Sequence, residues 1–195
     1  MSRELDVEQI RSLLEELGRR LDDRGVQARL YLVGGAAIAV AINPRRVTDD
    51  IDGLFEPYSA VTAVVAEMAA EHDLEPDWLN SRAFTFIAPN ENEPGNVYMD
   101  VPGLSVTTAS PEHLLAMKMA AYRQQDLEDL KVLFRTIGIT TAEEAVEITY
   151  TALGGADNDY ASMFGDRDEY QLRARAILAA LERSDKPGPG ASGGS

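Results

Sequence analysis

LYLVGGAAIAVAINPRRVTDDID, residues 30–52, is the stretch on which the fold turns. Leu30 to Val33 reads as a short apolar strand that stops at Gly34-Gly35. The small-residue run Ala36 to Ile42 then reads as a helix packed closely on that strand, broken by Asn43-Pro44. A second strand starts at Asp50 and runs to Phe55. Residues two apart in a strand face the same side, so Asp50 and Asp52 project together and Ile51 points the other way. Two carboxylates about 4 Å apart repel by roughly 4 kcal/mol at an effective dielectric of 20. A hard divalent cation offsets that cost, and Mg²⁺ suits it, since Mg²⁺ takes a few carboxylates and keeps positions open for phosphates. A strand that ends in two glycines and opens into a helix also lets backbone N–H groups approach a phosphate. The bland alternatives are a tight glycine turn and a solvated acidic strand end.

On the N-terminal side, Ile10, Leu13, Leu14, Leu17 and Leu21 recur at helical spacing, which predicts a helix over about 6–24 with Asp6 as its cap. Beyond the acidic pair, Val61, Val64, Val65 and Met68 stripe a helix of about 59–72. Strands are expected at Ala83 to Ala88 and Asn96 to Val101, joined by the turn-rich PNENEPGN, with another at Leu104 to Thr107. After Ser110-Pro111, a serine cap followed by proline at the first helical position, the pattern is all helical. Helices are expected at about 111–123 and 126–136. A third opens at the Thr140–Glu144 box, and a last runs over about 158–183. The fold class is therefore α/β (α+β), a mixed sheet flanked by helices and followed by a C-terminal helical bundle. The expected division is an α/β domain over 1–109, a helical region over 110–184 and a disordered Pro/Gly/Ser-rich tail over 185–195.

Composition narrows the chemistry. The chain has 195 residues, no cysteine and two histidines, His72 and His113, in no ligand spacing. Disulfides, cysteine-bound zinc and a histidine-rich metal site are excluded, and any metal is an oxygen-liganded ion. No signal segment and no membrane span is evident, which makes a cytoplasmic location the expectation. A net charge of −15 argues against duplex DNA as a partner.

Gly-Gly, a short small-residue helix and then Arg46-x-Thr48-x-Asp50-Ile51-Asp52 resemble the nucleotidyltransferase superfamily, and more narrowly the AbiEii/MenT-type nucleotidyltransferase-like toxins. The resemblance continues through Lys118, Arg123, Asp126 and Asp129, with Gln125 standing where those toxins carry a lysine. It implies that Gly34, Gly35, Arg46, Thr48 and Arg123 hold the phosphates of an NTP. It further implies that Asp50 and Asp52 bind Mg²⁺, with Mn²⁺ as a substitute, and that a third acid comes from a later strand. Asp100 is the candidate for that acid, against a reading as an exposed strand-end residue. Lys118, in an otherwise apolar helix, reaches a pocket to neutralise departing pyrophosphate, or else snorkels to the surface. Asp126 and Asp129 orient Lys118 or Arg123 by ion pairing and are not metal ligands. The implied activity moves a nucleoside monophosphate from an NTP to an acceptor hydroxyl. The implied acceptor is the 3′ end of tRNA, and the implied role is the toxin of a toxin–antitoxin pair with a cognate antitoxin. The alternatives are a small-molecule (aminoglycoside-like) or protein acceptor, and a catalytically silent binding domain. Trp78, Phe84 and Phe86 read as core or edge packing, with base stacking as the alternative, and His113 as a capping or surface residue.

Overall fold

A computed structural model describes residues 4–87, 95–154 and 160–185. Helix α1, Val7–Asp22, is started by a reciprocal box in which Asp6 accepts from the Gln9 N–H and the Gln9 side chain accepts from the Asp6 N–H. Its apolar stripe of Ile10, Leu13, Leu14, Leu17 and Leu21 is buried. Strand β1, Ala28–Val33, leads directly into α2, Gly34–Ala41, and β2, Ile51–Glu56, leads into α3, Tyr58–His72. A two-residue strand β3, Leu79–Asn80, is followed by β4, Asn96–Val101, and β5, Leu104–Thr108.

The five strands form one mixed sheet in the order β3-β2-β1-β5-β4. β1 runs antiparallel to β2 and parallel to β5, and β2 runs parallel to β3. Leu30, Leu32, Ile51, Phe55, Leu104 and Val106 give one face to the core. Arg29, Tyr31, Asp52, Leu54, Ser105 and Thr107 alternate onto the other face, which is half-buried or exposed. Helices α4, Pro111–Ala121, α5, Leu127–Ile137, α6, Ala142–Ala152, and α7, Arg167–Asp185, pack on one another. α4 also rests on α2, so a single apolar cluster runs from Leu5 to Leu181. No helix among the described residues is long and apolar enough to cross a membrane.

The expected elements are found in order, with three corrections. The strand expected at 83–88 is a 3₁₀ turn over Arg82–Phe86. Ser81 Oγ donates to the Gly53 carbonyl, and the Arg82 N–H turns back onto Asn80 Oδ1, which pulls the chain off the sheet edge after β3. The last helix begins at Arg167, preceded by a separate 3₁₀ turn over Ala161–Met163 and by Gly165 at φ +157°. His113 takes the Ser110 cap through its backbone N–H, but its side chain is buried with Tyr31 edge-on to the ring, so it is not a surface residue. The expected tail and most of the PNENEPGN turn lie outside the described residues.

Candidate active site

The sheet ends of β1 and β2, the start of α2, the 82–86 turn and the α4–α5 junction enclose a cavity of about 550 Å³. Gly34, Gly35, Arg46, Thr48, Asp50, Asp52, Lys118, Arg123 and Asp126 all line it. Residues far apart in the chain thus converge on one cleft.

Both glycines are required where they stand. Gly34 has φ +64°, and a Cβ there would sit 3.0 Å from Asp52 Oδ2. A Cβ on Gly35 would sit 2.7 Å from Thr48 Oγ1 and 3.2 Å from Arg46 Nη2. No side chain caps α2, whose first-turn amides have no intrahelical acceptor. The helix therefore presents N–H groups beside the carboxylates, where an anion is favoured.

Asp52 is half-buried, and burial, reinforced by the charge of Asp50, pushes its carboxyl up to about 6. Arg82, Lys118 and Arg123 pull in the opposite direction without cancelling this. Asp50 Oδ2 accepts from Asn80 Nδ2 at 3.0 Å and lies 3.7 Å from Arg82 Nη1. Two crowded carboxylates, one of them destabilised as the anion, are a donor set that fits a hard divalent cation.

Behind the pair lies a charged network. Asp129 receives Arg46 Nε at 2.9 Å and Lys118 Nζ at 2.9 Å, while Asp126 receives Lys118 Nζ at 2.5 Å and the Arg123 N–H at 3.3 Å. Burial would raise the Asp129 carboxyl, but the Arg46 hydrogen bond and the Lys118 charge outweigh it and hold it below the usual carboxylate range. Lys118 does not snorkel, since its side chain is 12% exposed and fixed between two carboxylates. Thr48 lines the cavity and also braces it. Its hydroxyl donates to the Asp50 carbonyl at 3.1 Å, and its backbone pairs in both directions with Leu5.

Asp100 is not brought to this cleft. It pairs with Ser105, Ser105 with Arg29, and Arg29 with Glu56, four residues along β2 from Asp52. Strand spacing and rise put Asp100 about 20 Å from Asp52, on the same face but at the opposite end of the sheet. The pairing register decides the face, and the strand order decides the end.

Two cavity-lining residues, Arg82 and Phe86, and Asn80 behind them were not read from the sequence as site residues. Asn80 grips Asp50, Arg82 faces it, and Phe86 lines the wall with the Arg123 guanidinium 5.6 Å from its ring centre. The alternation of Phe84, Thr85 and Phe86 mimics a strand, and the available signal was the Asn80-Ser81 turn pair just before it. Trp78 is core, with its indole N–H on the Val65 carbonyl, and Phe84 is exposed.

The family described as "Nucleotidyltransferase of unknown function (DUF6036)" matches residues 8–175. No curated protein and no solved structure matches the chain.

Proposed function

This chain belongs to the DUF6036 family of nucleotidyltransferases, and on that premise we propose that the Asp50–Asp52 cleft transfers a nucleoside monophosphate from an NTP to an acceptor hydroxyl. The observation that carries the reading is the meeting, in one cavity, of the α2 amides, two crowded carboxylates and the cations Arg82, Lys118 and Arg123.

The α2 amides receive phosphate oxygens at Gly34 and Gly35 without a side chain in the way. Arg82 and Arg123, both exposed at the mouth, draw in and orient the polyphosphate. Lys118 is pinned by Asp126 and Asp129, so it offers a fixed positive charge at low reorganisation cost as charge moves onto the leaving group. The acceptor oxygen bonds to the α-phosphorus, the bond to the bridging oxygen breaks, and pyrophosphate leaves with the electron pair. The acceptor proton passes to a cleft carboxylate or to water. Mg²⁺ or Mn²⁺ held by Asp50 and Asp52 would supply Lewis-acid stabilisation of the phosphoryl oxygens.

The acceptor we assign first is the 3′ end of tRNA, with the chain acting as the toxin partner of an antitoxin. A cationic small-molecule acceptor is the second reading, favoured by the net charge of −15 and by Glu4 and Asp49 on the cavity wall. Incubation with Mg²⁺, each α-labelled NTP and total tRNA, or an aminoglycoside panel, tests both against Asp52→Asn. Label transferred by the wild type alone is expected. Absence of transfer together with absence of Mg²⁺-dependent NTP binding overturns the proposal in favour of a silent binding domain.

A further inference from the structure

Arg173 stands in the second turn of α7 and does not line the cleft. Its side chain is only 12% exposed, and its guanidinium is bonded in three places. Nη1 donates to the Met119 carbonyl at 2.8 Å. Nη2 donates to the Phe164 carbonyl at 3.2 Å and to the Glu169 carboxylate one turn back along α7. The Met119 carbonyl lies in the last turn of α4, and the N–H that would meet it, that of Arg123, is turned to Asp126 instead. A cation at this end also suits the helix dipole. Gly165 is bare where it passes the same group, since a Cβ there would sit 2.9 Å from Glu169 Oε2 and 3.4 Å from Arg173 Nη2.

The guanidinium also lies 5.2 Å from the ring centre of Tyr122 and 5.1 Å from that of Tyr170. Tyr122 ends α4 in the left-handed region, at φ +40°, which a tyrosine seldom adopts. The next residue is Arg123, whose guanidinium is 5.6 Å from the ring centre of Phe86 on the cleft wall. Phe86 is met in turn by the Phe164 ring, 5.2 Å away, and the Tyr160 hydroxyl donates to the neighbouring Thr85 carbonyl. Arg173 thus grips both supports of one cleft pair, the turn that aims Arg123 and the residue that backs Phe86. A cap for α4 alone would need neither the Phe164 carbonyl nor the Tyr122 ring.

Resting for its ligand on the nucleotidyl-transfer reading above, we propose that Arg173 is a positioning residue that holds Arg123 and Phe86, from outside the cleft, where the polyphosphate is received. Arg123 is exposed, so its aim depends on the turn that carries it. With Arg173 shortened, the Met119 carbonyl, the Tyr122 turn and Phe164 lose their common partner. Arg123 then samples positions away from the cleft, and affinity for the nucleotide falls. Lys118 keeps its place for the chemical step, because Asp126 and Asp129 fix it independently.

Calorimetric titration with the α,β-methylene analogues of the four NTPs in Mg²⁺ tests this on Arg173→Gln, Arg123→Gln and the double variant, each checked for folding by circular dichroism. Arg173→Gln should weaken analogue binding about tenfold, the weight of one charge-assisted contact. In the Arg123→Gln background the same change should add less than about a twofold loss, because the contact it serves is already gone. In the labelled-transfer assay KM for the NTP should rise in parallel while kcat stays within about twofold. Amide hydrogen exchange should quicken in Arg173→Gln over residues 82–87 and 119–126 and not in α1. An equal loss of affinity in both backgrounds, a folded Arg173→Gln that binds as the wild type does, a loss confined to kcat, or unchanged exchange in both segments overturns this inference and leaves nucleotidyl transfer standing. If no analogue binds the wild type under any metal condition, both proposals fall.

Discussion

Replacing Asp52 with asparagine should stabilise the metal-free protein, and mainly at pH values where the aspartate is ionised. Raising a carboxyl from its ordinary 3.8 to about 6 corresponds to about 3 kcal/mol of preference for the protonated form in the folded state. Well below pH 4 the group is protonated in both folded and unfolded chains, and it costs the fold nothing. As the pH rises from about 4 to about 6, the unfolded chain releases the proton while the folded one retains it. The native state therefore loses stability across that window, and above it the full cost persists. Asparagine carries no charge and removes this cost. Water at the cleft mouth trims the figure, so a gain of about 2 kcal/mol is expected at pH 8, or about 4–8 °C in Tm for a chain of this size. At pH 4.5 the gain should fall to about a third of that. Urea unfolding of both proteins in chelator at the two pH values measures it. A gain that is the same at both, or an Asp52→Asn protein less stable than the wild type at pH 8, refutes the claim that an uncompensated carboxylate sits in the cleft.

Two further outcomes test the surroundings of the pair. Asp129→Ala leaves the Arg46 guanidinium and the Lys118 ammonium short of a buried partner, so it should lower stability by about 3–5 kcal/mol in urea unfolding; a loss under about 1 kcal/mol would show that the network is idle. Gly35→Ala drives a methyl group to 2.7 Å from Thr48 Oγ1, and should cost about 1–3 kcal/mol and abolish NTP binding measured by calorimetry, since it displaces both Thr48 and the α2 amides; an unchanged affinity would mean that phosphate does not sit at this turn.

The parts of the cleft legible in sequence are those built from neighbours in the chain. Gly34-Gly35 and Asp50-x-Asp52 announce themselves because a turn and a strand alternation are local, and the structure brings both to the same cavity. Asp100 shows where local reasoning ends. Its face and its distance relative to Asp52 both follow from β4 pairing with β5 at the far edge of the sheet, through a register shift between Val97 and Met99, which no spacing encodes. Arg82 and Phe86 were hidden for the opposite reason. Their local pattern is a strand, and it is a tertiary contact, Ser81 to the Gly53 carbonyl, that bends them into the cleft.

The charged network redistributes roles that the sequence left equal. Lys118, Arg46 and Arg123 all read as phosphate cations, yet the first two share Asp129, and Lys118 is held by Asp126 as well. Two cations and two buried anions sum to no net charge, so this cluster contributes fixed geometry more than long-range attraction. On the nucleotidyl-transfer reading, the pull on an incoming polyphosphate then falls to the exposed Arg123, to the α2 amides and to Arg82, whose charge Asp77 and Asp50 partly offset. On that same reading, a protein of net charge −15 would draw an anion at this cleft mouth, and the buried Lys118 would act on a ligand already seated there.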